Sequence, residues 1–155
     1  MKYFPASVLA LSLLSSGLAV TGEVLDGRPA TVMQVITQAG YSAKLSPGDS
    51  KTGPSITLNI DGDTVYLDLE GCKADLCTRV NATTGYDADT SSDEVIQYVN
   101  DWNLTNYSQA YLSNEEDSAY LDASYLMTGG YTRANLLAWL KAYLDDLTEF
   151  ANDLP

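Results

Sequence analysis

Apolar residues along the chain repeat with two different periods, and each change of period marks an element. Between residues 26 and 41, Val32, Val35, Ile36 and Ala39 recur three and four apart, the spacing of one helix face. Asp26 is placed to serve the start of that helix, Pro29 suits its first turn, and Gly40 suits its stop. A turn-rich stretch, 46–54, separates it from a strand pattern in which Ile56, Leu58 and Ile60 share one face. Asp61-Gly62-Asp63 is a hairpin signal, after which Val65, Leu67 and Leu69 alternate again. Residues 77–86 are extended in character with a weaker pattern. The helical period returns over 89–103, where Val95, Ile96, Val99 and Trp102 form a stripe and Ser91 and Glu94 have capping-box spacing. Two strands follow, over 106–112 and 118–127, joined by the polar turn 113–117. Thr132 is the predicted N-cap of a closing helix with Leu136, Leu137, Leu140, Leu144, Leu147, Phe150 and Leu154 at helical spacing. The predicted order is helix, three strands, helix, two strands, helix, which is an α+β fold with helices packed on an antiparallel sheet.

The first residues break this picture. Met1 and Lys2 give a short positive start, an uncharged apolar run follows, and Gly17-Leu18-Ala19 places small residues where a signal peptidase inspects. Residues 1–19 are therefore expected to be a signal peptide cleaved after Ala19, with Gly22 the second choice, followed by a lead-in over 20–28 and one domain over 29–155. The apolar run is shorter than the roughly 20 residues a spanning helix needs, so no stable membrane insertion is expected after cleavage. An uncleaved N-terminal anchor is the other reading. The expected location is periplasmic or secreted.

Composition narrows the chemistry. The 155-residue chain carries a net charge of −13, which repels phosphate backbones and disfavours nucleic acid as a partner. It contains no histidine, so Ser-His-Asp and Cys-His catalysis within one chain are impossible. No spacing singles out a carboxylate pair or a Ser-Lys pair, so no enzyme activity is expected. Cys72 and Cys77 are the only cysteines. Their spacing is not C-x-x-C, and two cysteines without histidine are too few for a zinc site. In an exported chain a disulfide is the default. It would tie the tip of the hairpin, either as a clamp or as an exposed redox-sensing bridge.

Four further positions invite attention. Trp102 can anchor the second helix in the core while Asn103 ends it in a left-handed cap conformation. Alternatively both line a peptide- or ligand-binding groove with Tyr107. Tyr107 and Tyr111 share a strand face, and tyrosines suit interfaces because they join apolar area to a polar tip. Asp87, Asp89, Ser91 and Asp93 mimic the start of a calcium loop. Ser92 stands where that loop needs glycine and Tyr98 where it needs glutamate, so no metal and no cofactor is expected.

The order of these features resembles the YbjN-domain family, described as bacterial sensory transduction regulators. The resemblance rests on the Gly71-Cys72 to Cys77 hairpin, Asn100-Asp101-Trp102-Asn103 closing a helix, Gly129-Gly130-Tyr131-Thr132 opening the last one, and Phe150 near its end. It spans residues 29 to 153 and looks like the secreted, cysteine-containing branch. It implies a fold similar to type III secretion chaperones, no known catalysis, and by analogy a homodimer. Family members often carry Arg-Phe after the Trp-Asn pair; Asn106-Tyr107 here keeps the aromatic and loses the charge. The function expected is a non-catalytic, chaperone-like module binding an unknown protein or peptide. The alternative is a small-ligand or cation sensor using the acidic surface.

Overall fold

A computed structural model describes residues 22–49 and 52–155. The expected signal peptide, 1–19, lies outside the described residues. The elements are β1 (Val24–Leu25), α1 (Pro29–Gln38), β2 (Ala43–Ser46), β3 (Ser55–Ile60), β4 (Asp63–Glu70), β5 (Arg79–Asp87), α2 (Asp93–Thr105), β6 (Gln109–Ser113), β7 (Ser118–Leu126), β8 (Tyr131–Thr132) and α3 (Arg133–Asp153). Six strands form one antiparallel sheet in the order β2-β3-β4-β5-β7-β6, and β1 pairs with β8 beside it. The α+β class is as expected. Besides the two-residue strands β1 and β8, which the predicted order lacks, four strands, not three, lie between α1 and α2. The extra one, β2, is a four-residue edge strand whose exposed Lys44 and Ser46 leave too short an apolar alternation to read.

The period of two places one set of side chains under the helices. Ile56, Leu58, Val65, Leu67, Leu69, Val80, Ala82 and Leu121 are buried on that face. Helices α1 and α3 cover it with Val32, Val35, Ile36, Leu136, Leu140, Leu147 and Phe150. Trp139 and Tyr143 of α3 are buried too, although a stripe counted on leucines passes them over. The Tyr143 hydroxyl donates to the Leu121 carbonyl at 3.0 Å and lies 2.9 Å from the Thr84 hydroxyl, so this polar tip is satisfied inside the core. Helix α2 packs at the β6 edge instead of on the face. That position turns Ile96 outward at 38% exposure and brings Tyr98 against Phe150, 5.4 Å between ring centroids.

Helix starts follow local hydrogen bonding. Thr132 Oγ1 accepts from the Asn135 amide at 3.2 Å, as its N-cap role requires. The predicted capping box at Ser91 does not form. Asp89 Oδ1 takes both the Ser91 amide (3.1 Å) and the Ser91 hydroxyl (2.6 Å), and the N-cap passes to Ser92, which makes no side-chain cap. Asp26 does not cap α1 directly. Arg28 holds the N-cap position, and Asp26 Oδ1 braces the first turn by accepting from the Arg28 amide and the Thr31 hydroxyl.

Candidate functional site

Trp102 and Asn103 sit side by side in sequence and act on the same strand. Trp102 is 4% exposed, meets Phe150 edge-on at 5.1 Å, and donates from Nε1 to Ser108 Oγ at 3.3 Å. Asn103 does not end its helix: α2 runs on to Thr105, and the C-cap position is Asn106 in extended conformation. Instead the Asn103 side chain docks on β6. Its Nδ2 donates to the Ala110 carbonyl at 2.8 Å, and its Oδ1 accepts the Ala110 amide at 2.8 Å. A side-chain amide thus completes the outer hydrogen bonds of Ala110 on this edge strand as another strand would. One step back, the Ser108 amide donates to Asp146 Oδ2 at 3.2 Å. These contacts use up backbone groups that would otherwise pair with a foreign strand.

The sheet face opposite α1 and α3 carries no helix among the described residues. One row across it runs Thr57, Tyr66, Thr83, Asp122, Gln109, and the next runs Ser55, Asp68, Asn81, Ser124. Tyr107 is 79% exposed and stands in the bend ahead of β6, not in the strand. It still borders this face, lining a cleft of about 360 Å³ with Asn81, Gln109, Asp122, Ala123 and Ser124. Tyr111, 44% exposed, stacks on Tyr120 at 5.2 Å and 11°. Tyr120 can lie flat only because Gly85 lacks a Cβ, which would come within 2.6 Å of the ring. The structure therefore separates the four candidates: Trp102 and Asn103 shape the edge, and Tyr107 and Tyr111 belong to the open face.

Asp122 is the residue that periodicity missed. Ser124 Oγ donates to Asn81 Oδ1 at 2.7 Å, which leaves Asn81 Nδ2 to serve Thr83 Oγ1 at 3.2 Å and Asp122 Oδ2 at 3.3 Å. The other carboxylate oxygen, Oδ1, is buried without a hydrogen-bond partner. Burial raises the Asp122 carboxyl above its ordinary value against the hydrogen bonds from Thr83 and Asn81, and Glu70 adds repulsion. Burial also raises Asp68, with further repulsion from Glu70 and Asp122. Both groups bind a proton more tightly folded than unfolded. Their contribution to stability is complete below the ordinary value of 3.8 and is lost as pH rises through the raised values. Asp122→Asn keeps the shape and removes one charge. The variant is expected to match or exceed the parent's stability at neutral pH and to gain less than the parent on acidification across that window, as read from denaturant midpoints.

The cysteines form a disulfide, Cys72–Cys77, at the β4–β5 tip. Lys73 and Leu76 pair across it, and Cys77 is 1% exposed. The tied loop holds the lead-in segment. The Cys77 amide donates to the Gly27 carbonyl at 3.1 Å, and Arg28 Nε meets Asp75 Oδ2 at 3.1 Å. Gly27 admits this approach because a Cβ there would sit 2.0 Å from the Cys77 carbonyl oxygen. Asp75 is thus engaged with the chain's own Arg28. Replacing both cysteines by alanine should cost about 2 kcal/mol on the chain-entropy estimate for so short a loop. A lowered thermal midpoint and faster exchange of the amide at position 77 would show it.

One other cleft is less suited to a site. A cleft of about 930 Å³ between the lead-in, α1 and the start of α3 has Arg133 on its wall, but that guanidinium is bonded to Gln38. Among the described residues, no group of three Asp, Glu, Cys or His could hold a metal ion. No described helix is long and apolar enough to cross a membrane.

The profile of the YbjN family, described as "Putative bacterial sensory transduction regulator", matches residues 28–155. The chain belongs to the YbjN family. Among solved structures, the crystal structure of YbjN, "a putative transcription regulator from E. coli", superposes with a TM-score of 0.60 at 15% identity, over 85% of this chain and 97% of that one. At that identity the likeness establishes the fold. No curated protein matches the chain. Within this YbjN domain, the Trp-Asn pair has a definite structural task, the closure of β6.

Proposed function

We propose that this YbjN-family protein is a non-catalytic, exported regulator that binds a protein or peptide segment, in the manner of a chaperone, on the open face of its sheet. The observation that carries this reading is the contrast between the two sides of one sheet. One side is buried under α1 and α3, while the other displays Tyr66, Tyr107, Tyr111 and Tyr120 with no element over them among the described residues. Tyrosines presented by rigid strands supply contact area at little cost in side-chain entropy, as interface anchors do. The engaged β6 edge argues against strand addition there and favours docking on the face. Export, cleavage after Ala19 and membership of the secreted cysteine-containing branch are supported by the pattern of residues 1–19 and by the disulfide, which persists in an oxidising compartment.

Photo-crosslinking residues placed at Tyr111 on the face and at Lys141 on the exposed side of α3 test the reading in intact cells. A discrete adduct from position 111 and none from 141 is expected. An adduct of twice the chain mass would identify the partner as a second copy. Equal yields from both positions, or none from either, would overturn the proposal.

A further inference from the structure

We propose that the cleft at Asp122 seats a lysine or arginine side chain of the bound segment, so that the partner is a basic, extended stretch of another protein. The inference rests on the open-face reading and adds the chemistry of the partner. It begins from an imbalance in hydrogen bonding. Asp122 Oδ1 is buried without a partner, beside a cleft of about 360 Å³ that has room for one long side chain. A buried carboxylate short of donors is costly, and a cation seated in the cleft beside it would offset that cost.

The neighbourhood selects for positive charge. Asp68 lies on the same face close enough to repel Asp122, and both carboxyls are shifted toward the protonated form. Of the described cations on this face, Arg79 on β5 is already paired with Glu70, Nε to Oε2 at 2.8 Å, and Lys44 stands at the far β2 edge of the row that contains Asp122. Tyr107 forms a wall of the cleft, and Tyr111 and Tyr120 stack on the same face, where aromatic rings attract guanidinium and ammonium groups. Asn81 and Gln109, also lining the cleft, carry side-chain carbonyl oxygens that can take a cation's remaining donors.

Charge also decides against a second copy as the occupant. The chain has eight basic residues against 21 acidic ones. Arg28, Arg79 and Lys141 are each committed to a carboxylate of their own chain. Two copies meeting face to face would press together two surfaces that each carry Asp68 and Asp122, on chains of net charge −13. A basic segment from a different protein meets both the charge and the hydrogen-bond deficit.

The test uses the purified full chain and capped pentapeptides of alternating alanine and lysine, compared with the norleucine and glutamate counterparts. Amide shifts in the protein locate binding, and titrations give Kd. The lysine peptide should shift Asn81, Gln109 and Ser124, and its affinity should fall as salt is raised. Asp122→Asn should weaken it roughly tenfold or more, whereas Asp145→Asn, which removes an exposed charge on α3, should change it little. Equal binding of the norleucine peptide, equal losses in the two variants, or shifts confined to other surfaces would each overturn the inference. Crosslinking from Tyr111 separates this failure from that of the broader reading. If Asp122→Asn leaves both the peptide affinity and a strong native adduct unchanged, the face is the docking surface and the cationic specificity is wrong.

Discussion

Trp102→Ala is expected to lower the stability of the protein by about 3–5 kcal/mol, the usual range for truncating a fully buried tryptophan. The residue is 4% exposed, packs edge-on against Phe150, and joins the end of α2 to the start of β6 through Ser108. A domain of this size has roughly 5–15 kcal/mol to lose, so the variant should be partly unfolded at modest urea concentrations. Trp139, buried in α3, remains as the fluorescent probe of that transition. Trp102→Phe should recover part of the loss, because one aromatic ring still meets Phe150 while the hydrogen bond to Ser108 and the volume of the second ring are given up. If the alanine variant loses less than about 1 kcal/mol, a range typical of surface positions, Trp102 does not anchor this helix.

The second large effect belongs to Asn103. Asn103→Leu strips two 2.8 Å hydrogen bonds from the Ala110 backbone and leaves an amide and a carbonyl without partners. At about 1–3 kcal/mol for each of the two unsatisfied groups, the expected loss is roughly 2–6 kcal/mol. The variant should also self-associate with rising concentration, because a freed edge strand is a template for another chain. Asn103→Asp separates bonding from packing. At neutral pH its carboxylate still accepts the Ala110 amide but repels the Ala110 carbonyl. Protonation restores a donor, so the folded state raises this carboxyl's pKa, and stability should return as pH falls through that value. Denaturant midpoints against pH would record this, and a flat profile would mean that the docking on Ala110 carries little energy.

The two large effects mark what could and could not be seen in the order of residues. The hairpin of β3 and β4, the placement of α1 and α3, Pro29 in a first turn and Thr132 as an N-cap are local features, set by neighbours within about one turn or one pleat. They are legible because the decisive interactions are close in sequence. Strand β2 was not, since four edge residues with Lys44 among them have too little apolar contrast. Ile96 was misplaced because α2 packs on an edge, where the buried arc is narrow and a tyrosine, Tyr98, fills it better. Asn103 read as a helix terminator because asparagine commonly serves there. Its real contact lies seven residues away on another element, and only the tertiary fold supplies it. Asp122 was hidden for a similar reason. An acidic residue between Leu121 and Ala123 reads as the solvent-facing half of an alternation, and its burial comes from neighbours on β5 and β6.

The disulfide shows the same division. The pairing of Cys72 with Cys77 was legible from their count and the expectation of export, whereas its use was not. The bridge shapes a loop that grips the lead-in at Gly27 and Arg28, so its tip is turned toward its own chain. With Ala110 at the β6 edge also engaged, the tyrosine-bearing sheet face is a broad open surface among the described residues.

The most direct test of that surface as the working one is the size of the native assembly when its aromatic anchors are removed. Tyr66→Ser and Tyr111→Ser alter half-exposed side chains and should leave the thermal midpoint close to the parent's. Gel filtration of gently lysed cells should then show the parent eluting in a larger complex and the double variant eluting at the size of the free chain. A double variant that stays folded and keeps the parent's elution position would contradict the assignment of function to this face.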